Sequence, residues 1–68
     1  MKCIGTYTYD GKTWRLYVDL ESRKFFILLP SFKITKFLSK NNSSLPDKAV
    51  EIFERRLNDF QKGRIKFA

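Results

Sequence analysis

Basic side chains are the most distinctive chemical groups in this sequence. Lysine and arginine number 14 against 7 aspartates and glutamates, which gives a net charge of +7 on 68 residues. A field of that strength on a small body attracts polyanions. Lys33, Lys36 and Lys40 recur at spacings of three and four, and Arg23 and Lys24 are adjacent. Surfaces that gather such side chains could contact phosphates.

Aromatic residues alternate with some of these cations. Arg15 and Tyr17 stand two positions apart in "TWRLYVD", and Phe26 lies in "FFILLP". Aromatic rings beside basic residues on a sheet are a common arrangement in proteins that bind single-stranded nucleic acid. Tyr17 and Phe26 are therefore candidate stacking platforms, with Arg15 alongside.

Most catalytic and metal-binding chemistry has no counterpart in the sequence. There is no histidine, one cysteine and no glycine-rich phosphate loop among three glycines. The commonest general base and zinc ligand is thus missing. Cys3 would need a neighbouring base to act as a nucleophile, and we expect it to be a packed, inert thiol beside Val18. We predict no enzymatic activity, no cofactor and no metal.

The length of 68 residues predicts a single small domain, residues 1–68. One cysteine allows no internal disulfide, so a partner is the remaining means of added stability. The longest apolar run, "FFILLP" at residues 25–30, is far short of the roughly 20 residues of a membrane span. With no secretory leader recognised and a lone cysteine that suits a reducing compartment, we expect a cytoplasmic protein with no membrane partner.

Strong local signals predict a β-hairpin at the N-terminus. "YDGK", residues 9–12, places Asp10-Gly11 between two alternating segments, and this dipeptide favours a two-residue type I′ turn. A second loop, "ESRK" at residues 21–24, would add a third strand by bringing Leu20 opposite Phe25 and Val18 opposite Ile27. The hairpin register pairs Tyr7 with Trp14, Gly5 with Leu16 and Cys3 with Val18 on one face, and Thr6 with Arg15 and Ile4 with Tyr17 on the other.

A helix is predicted within residues 43–63. Ser44 and Asp47 resemble a capping box, Pro46 suits the first turn and Gly63 suits the C-terminal stop. Between the third predicted strand and this helix, residues 31–44 fit either a strand or a short helical turn, and we expect irregular or short helical structure. Residues 64–68, "RIKFA", read as a short strand or a frayed tail. The apolar stripe of the helix consists of Ala49, Val50, Phe53, Leu57 and Phe60.

These elements define an α+β fold: a three-stranded antiparallel meander packed on one C-terminal helix, with an optional short C-terminal strand. One helix covers one face of the sheet, and the second face, expected to carry Ile4, Tyr17, Phe26 and Leu28, is more apolar than an uncovered face usually is. It could be covered by residues 31–42 folding back, serve as a protein interface, or stack bases. The expected core face holds Trp14, Leu16, Val18, Leu20, Ile27 and Leu29.

The β-β-β-α order is similar in topology to small DNA-binding modules that lay a three-stranded sheet in the major groove, such as integrase arm-binding domains. No motif accompanies this similarity. Our first hypothesis is a small, regulatory nucleic-acid-binding protein, with DNA favoured over RNA. The alternative is an interaction module or small inhibitor, of the kind found among viral proteins, that binds a protein partner or a second copy through Ile4, Tyr17, Phe26 and Leu28. The candidate nucleic-acid-binding residues are Arg15, Tyr17, Arg23, Lys24, Lys33, Lys36 and Lys40.

Overall fold

A computed structural model describes residues 1–37 and 45–65 of the chain. Within them lie four strands and one helix, and the antiparallel sheet has the strand order β1-β2-β3-β4. The α+β class, the meander and the C-terminal helix are thus confirmed, with one strand more than predicted. The elements are β1 (Lys2–Tyr9), β2 (Lys12–Asp19), β3 (Lys24–Leu28), β4 (Ile34–Lys36) and α1 (Asp47–Gln61).

The first hairpin turns at Asp10 and Gly11, as predicted. Their φ angles are 52° and 72°, which is the left-handed backbone that a type I′ turn requires at both positions. The turn sets the register of the neighbouring pairs, so Tyr7 faces Trp14 as expected. The rings of Tyr7 and Trp14 lie 5.8 Å apart between centroids.

Near its start, β1 departs from the predicted register. The pairing shifts between Cys3 and Gly5, so that Cys3 faces Tyr17. The predicted pairs of Cys3 with Val18 and Ile4 with Tyr17 are wrong, because a bulge adds one residue and exchanges the faces beyond it. Ile4 is only 3% exposed and belongs to the core, whereas Cys3 is exposed.

Helix α1 stabilises this irregularity. Arg56 Nε donates a hydrogen bond of 2.7 Å to the carbonyl oxygen of Ile4. Gly5 lets the helix approach closely, since a Cβ there would lie 3.3 Å from Cδ1 of Phe53 and 3.2 Å from Cγ of Arg56. The bulge thus places Ile4 under α1 and keeps its carbonyl hydrogen-bonded.

The loop between β2 and β3 begins one residue earlier than predicted. Asp19 pairs with Lys24, and the backbone N–H of Arg23 donates to the carbonyl oxygen of Asp19 at 2.7 Å. Leu20, expected in the core, is therefore a loop residue and is 46% exposed. Each β2–β3 pair is displaced by two positions, for example Leu16 onto Ile27, and an even displacement keeps every side chain on its predicted face.

Residues 34–36 form an edge strand, so the expectation of irregular or helical structure there is wrong. A turn over residues 30–32 is closed by hydrogen bonds from Leu29 N–H to the Lys33 oxygen, 2.8 Å, and from Phe32 N–H to the Leu29 oxygen, 2.9 Å. Phe37 then enters the core, where its ring meets that of Phe53 edge-on at 6.2 Å. Residues 31–37 accordingly extend the sheet instead of folding over its second face. Leu38, Lys40 and the rest of residues 38–44 lie outside the described residues.

Helix α1 covers the opposite face with the predicted stripe. Ala49 and Phe53 are buried, and Val50, Leu57 and Phe60 pack around them. The helix ends at Gln61, and Gly63 is its C-terminal stop, as predicted, with a φ of 71°. Hydrogen bonds from the Gly63 N–H to the Phe60 oxygen and from the Arg64 N–H to the Asp59 oxygen complete a Schellman motif. The core cluster consists of Ile4, Trp14, Leu16, Val18, Ile27, Phe37, Leu45, Ala49 and Phe53.

Two predictions at the ends of these elements are settled only in part. Pro46 directly precedes α1 without a side-chain cap, and Ser44, the proposed partner in a capping box, lies outside the described residues. Arg64 and Ile65 are not in a strand. Residues 66–68, the remainder of the predicted C-terminal strand, also lie outside the described part of the chain.

The bulge predicts that replacing two isoleucines has very different effects on the free energy of unfolding. Ile4→Ala should lower the free energy of unfolding by about 2–5 kcal/mol, because it empties a buried site. Ile34→Ala, at a position 60% exposed on the edge strand, should change it by less than about 0.5 kcal/mol. Urea denaturation followed by Trp14 fluorescence measures both. If Ile4→Ala left the free energy of unfolding unchanged, Ile4 would not be buried. That result would contradict the bulge and favour the simple hairpin register predicted from the sequence.

Candidate functional site

The face of the sheet opposite α1, here called the outer face, is covered by no element of the described chain. Paired residues share a face, so the strand registers define its membership. From β1 to β4 it carries Cys3, Thr6, Thr8, Thr13, Arg15, Tyr17, Asp19, Lys24, Phe26, Leu28, Ile34 and Lys36.

An aromatic pair occupies its centre. Tyr17 on β2 and Phe26 on β3 are direct cross-strand partners, and both are half-buried. Leu28 and Ile34, a second cross-strand pair, continue the apolar surface toward the β3–β4 turn. Tyr17, Phe26, Leu28 and Ile34 will be called the apolar strip.

Cations border the apolar strip. Arg15 faces Leu28, Lys24 lies two residues before Phe26, and Lys36 faces Phe26. All three basic side chains are exposed. Asp19 is the one acidic residue among the described members of this face, so three cations and one carboxylate leave a charge of +2.

Asp19 is fixed by the loop that follows it. The backbone N–H of Glu21 donates to Oδ1 of Asp19 at 3.1 Å. This hydrogen bond holds the pKa of Asp19 below its ordinary value, because it stabilises the charged form. The carboxylate is therefore ionised at neutral pH and weakens the positive field of the outer face.

The fold brings together only part of the predicted nucleic-acid site. Arg15, Tyr17, Lys24 and Lys36 share the outer face. Arg23 does not, because its guanidinium carbon lies 6.0 Å from the ring centroid of Phe60, on the side of the sheet that α1 covers. Lys33 is exposed at the β3–β4 turn, and Lys40 lies outside the described residues.

The predicted protein interface is corrected at one position. Tyr17, Phe26 and Leu28 are on the outer face as expected. Ile4 is not, since the bulge moves it into the core. Ile34 takes its place in the apolar strip, and sequence reasoning missed it because its membership depends on the short β4.

Phe32 is a second residue that sequence reasoning missed. Its side chain is 85% exposed, and its φ of 65° is a left-handed conformation that non-glycine residues adopt at a cost. It borders a groove of about 290 Å³ between the two hairpin turns, which also contacts Gly11, Thr13 and Leu28. The available signal was "LPSFK", in which proline suits the first corner of a turn and the third loop residue is left-handed.

Within residues 1–37 and 45–65, no group of three histidine, cysteine, aspartate or glutamate side chains is arranged to hold a metal ion. No helix in that part of the chain has the length and apolar character to cross a membrane. No protein-family model, curated protein or solved structure matches the chain.

The backbone at Phe32 predicts a stabilising substitution. Phe32→Asn should raise the free energy of unfolding by about 0.5–1 kcal/mol, because asparagine tolerates the left-handed region better than phenylalanine does. Phe32→Ala, which removes the ring but keeps an unsuitable backbone, serves as the control and should give no gain. Thermal unfolding followed by circular dichroism checks this. Equal effects of the two substitutions would show that the backbone at residue 32 carries no strain.

Proposed function

We propose that this protein binds nucleic acid through the outer face, with Arg15, Lys24 and Lys36 contacting phosphates. The proposal rests on the placement of these three basic residues on one face of the sheet. Residues that are 9 and 12 positions apart in the sequence are brought by the sheet around one aromatic pair, on the face that α1 leaves open. Lysine and arginine contacts to phosphates supply much of the affinity of such complexes.

The rest of the chain supports a polyanionic ligand. The net charge is +7, so the field that guides a nucleic acid extends beyond the contact surface. Lys33 at the β3–β4 turn can add to this field, and so can Arg23 behind the sheet. Lys40 stays a candidate phosphate contact from the sequence. As in the hypothesis from the sequence, we propose DNA over RNA as the ligand.

The apolar strip favours a second candidate function, docking to a protein partner or to a second copy of the chain. Exposed apolar patches rimmed by charge are typical of interfaces. A face-to-face homodimer would, however, bring the Arg15, Lys24 and Lys36 side chains of one copy against those of the other. Like charges brought together across an interface oppose association, so nucleic acid is the better match for this face.

Removing the outer-face cations should weaken binding more than removing the same charge elsewhere. We expect the triple variant Arg15→Gln, Lys24→Gln, Lys36→Gln to lose at least about tenfold in affinity, with a salt slope smaller in magnitude by about 2–3. Fluorescence anisotropy of labelled DNA between about 50 and 200 mM salt measures both quantities.

The matched control is the triple variant Lys48→Gln, Arg55→Gln, Lys62→Gln, whose altered side chains are exposed on α1 or just after it. Both triple variants reduce the net charge from +7 to +4. Equal losses in the two would show that only the overall charge matters, and the outer face would then lose its special role.

Removing the opposing carboxylate should strengthen binding. Asparagine at position 19 keeps an oxygen that can accept the Glu21 N–H, so Asp19→Asn preserves the loop while deleting the charge. We expect a gain of about two- to fivefold in affinity at low salt, on the scale of a solvent-exposed Coulomb interaction. Glu51→Gln, on the exposed surface of α1, makes the same change in net charge and should give a smaller gain in the same anisotropy assay. A gain from Glu51→Gln as large as that from Asp19→Asn would count against the outer face.

A further inference from the structure

We infer that the ligand of the outer face is single-stranded, and that its bases stack on Tyr17 and Phe26. This inference rests on the proposed function and narrows the class of nucleic acid. It follows from the position of the two rings, from the apolar side chains beside them and from the arrangement of the cations.

Tyr17 and Phe26 are neighbours on the outer face and together will be called the platform. Tyr17 and Phe26 are direct partners on the two central strands, and neighbouring strands lie about 4.8 Å apart. Both side chains are half-buried, so part of each remains accessible to a ligand. A base gains affinity from stacking on such a ring whatever its identity, because every base has a π-face.

The centre of the outer face does not suit the reading of a duplex. Sequence in the major groove is read by hydrogen bonds to base edges. Phe26, Leu28 and Ile34 offer none, and the basic side chains that could do so lie at the margins of the apolar strip. The hydroxyls of Thr8 and Thr13 lie 3.2 Å apart and bond to each other. In a duplex the bases are stacked on one another, so they cannot also stack on the rings of Tyr17 and Phe26. A single strand can use both the rings and the cations.

The cations are placed to hold the backbone of a strand whose bases lie on the platform. Lys36 is across from Phe26, and Arg15 and Lys24 are each two residues along a strand from an aromatic partner. Residues two apart on one strand are separated by about 7 Å. Long basic side chains at that spacing reach phosphates on several sides of the platform.

The first test compares ligands. A labelled oligothymidylate of about 12 nucleotides, within the range of single-strand footprints, is titrated by anisotropy at several salt concentrations, beside a duplex of the same length and an oligouridylate. We expect the single strands to bind at least about tenfold more tightly than the duplex at equal salt, because only they add stacking to phosphate contact.

The second test removes the rings without removing charge. Tyr17→Leu and Phe26→Leu should each weaken single-strand binding by about 5- to 100-fold, with an unchanged salt slope and unchanged duplex binding. Tyr17→Phe keeps the ring and should bind the single strand as tightly as the unaltered protein does. Tyr9→Leu is the matched control, since Tyr9 is 65% exposed but lies off the outer face, and it should have no effect.

A third measurement needs no variant. Cys3 is exposed and is the cross-strand partner of Tyr17, so a bound strand should shield its thiol. Alkylation by iodoacetamide, an uncharged reagent, should slow several-fold when oligothymidylate saturates the protein. A rate that stays the same while anisotropy shows binding would place the ligand elsewhere and overturn the inference.

The possible results separate the two proposals. Equal affinity for duplex and single strands, with no loss in the leucine variants, overturns the stacking inference and leaves phosphate binding in place. Loss in the leucine variants without loss in Tyr9→Leu supports it. Binding to none of the three nucleic acids overturns both proposals and directs attention to a protein partner for the apolar strip.

Discussion

The contact of α1 with β1 at Gly5 is the interaction on which the rest of the structure depends. Phe53, fully buried, reaches the sheet there because position 5 has no side chain, and Arg56 bonds to the neighbouring carbonyl of Ile4. This contact explains the bulge, the burial of Ile4 and the side of the sheet on which the core forms. It also means that a helix of 15 residues is committed to one face, and the other face is left without a helical cover.

The outer face has a composition that stability alone does not require. An uncovered antiparallel face is normally polar, and an apolar strip on it reduces solubility. Tyr17, Phe26, Leu28 and Ile34 are nevertheless arranged as two adjacent cross-strand pairs, with cations at the margins. No charged or polar residue is buried in the described chain, so its charges remain at the surface, available to a ligand. A polyanion with planar bases matches both the apolar and the basic part of this face.

Sequence reasoning succeeded where the determining signal is local. The Asp10-Gly11 turn, the stripe of α1, its stop at Gly63 and the face assigned to Tyr17 and Phe26 follow from short-range backbone preferences and from the period of two along a strand. It failed where the local structure depends on residues that are distant in the sequence. The bulge at Ile4 depends on Arg56, 52 positions away. The position of Arg23 behind the sheet was not foreseen, because its contact with Phe60 is tertiary. The three residues of β4 are too few for a pattern, so Ile34 was missed as part of the apolar strip.

The strand order has a consequence for how the chain folds as it is synthesised. Because neighbours in the sheet are also neighbours in sequence, the strands can pair through short loops, which favours rapid folding. The core, however, closes only when the C-terminal helix docks on the first strand, across the longest separation in the fold. Until the ribosome has released α1, the nascent sheet presents apolar side chains on both faces. We therefore expect a chain interrupted before residue 47, where α1 begins, to be prone to aggregation and dependent on chaperones.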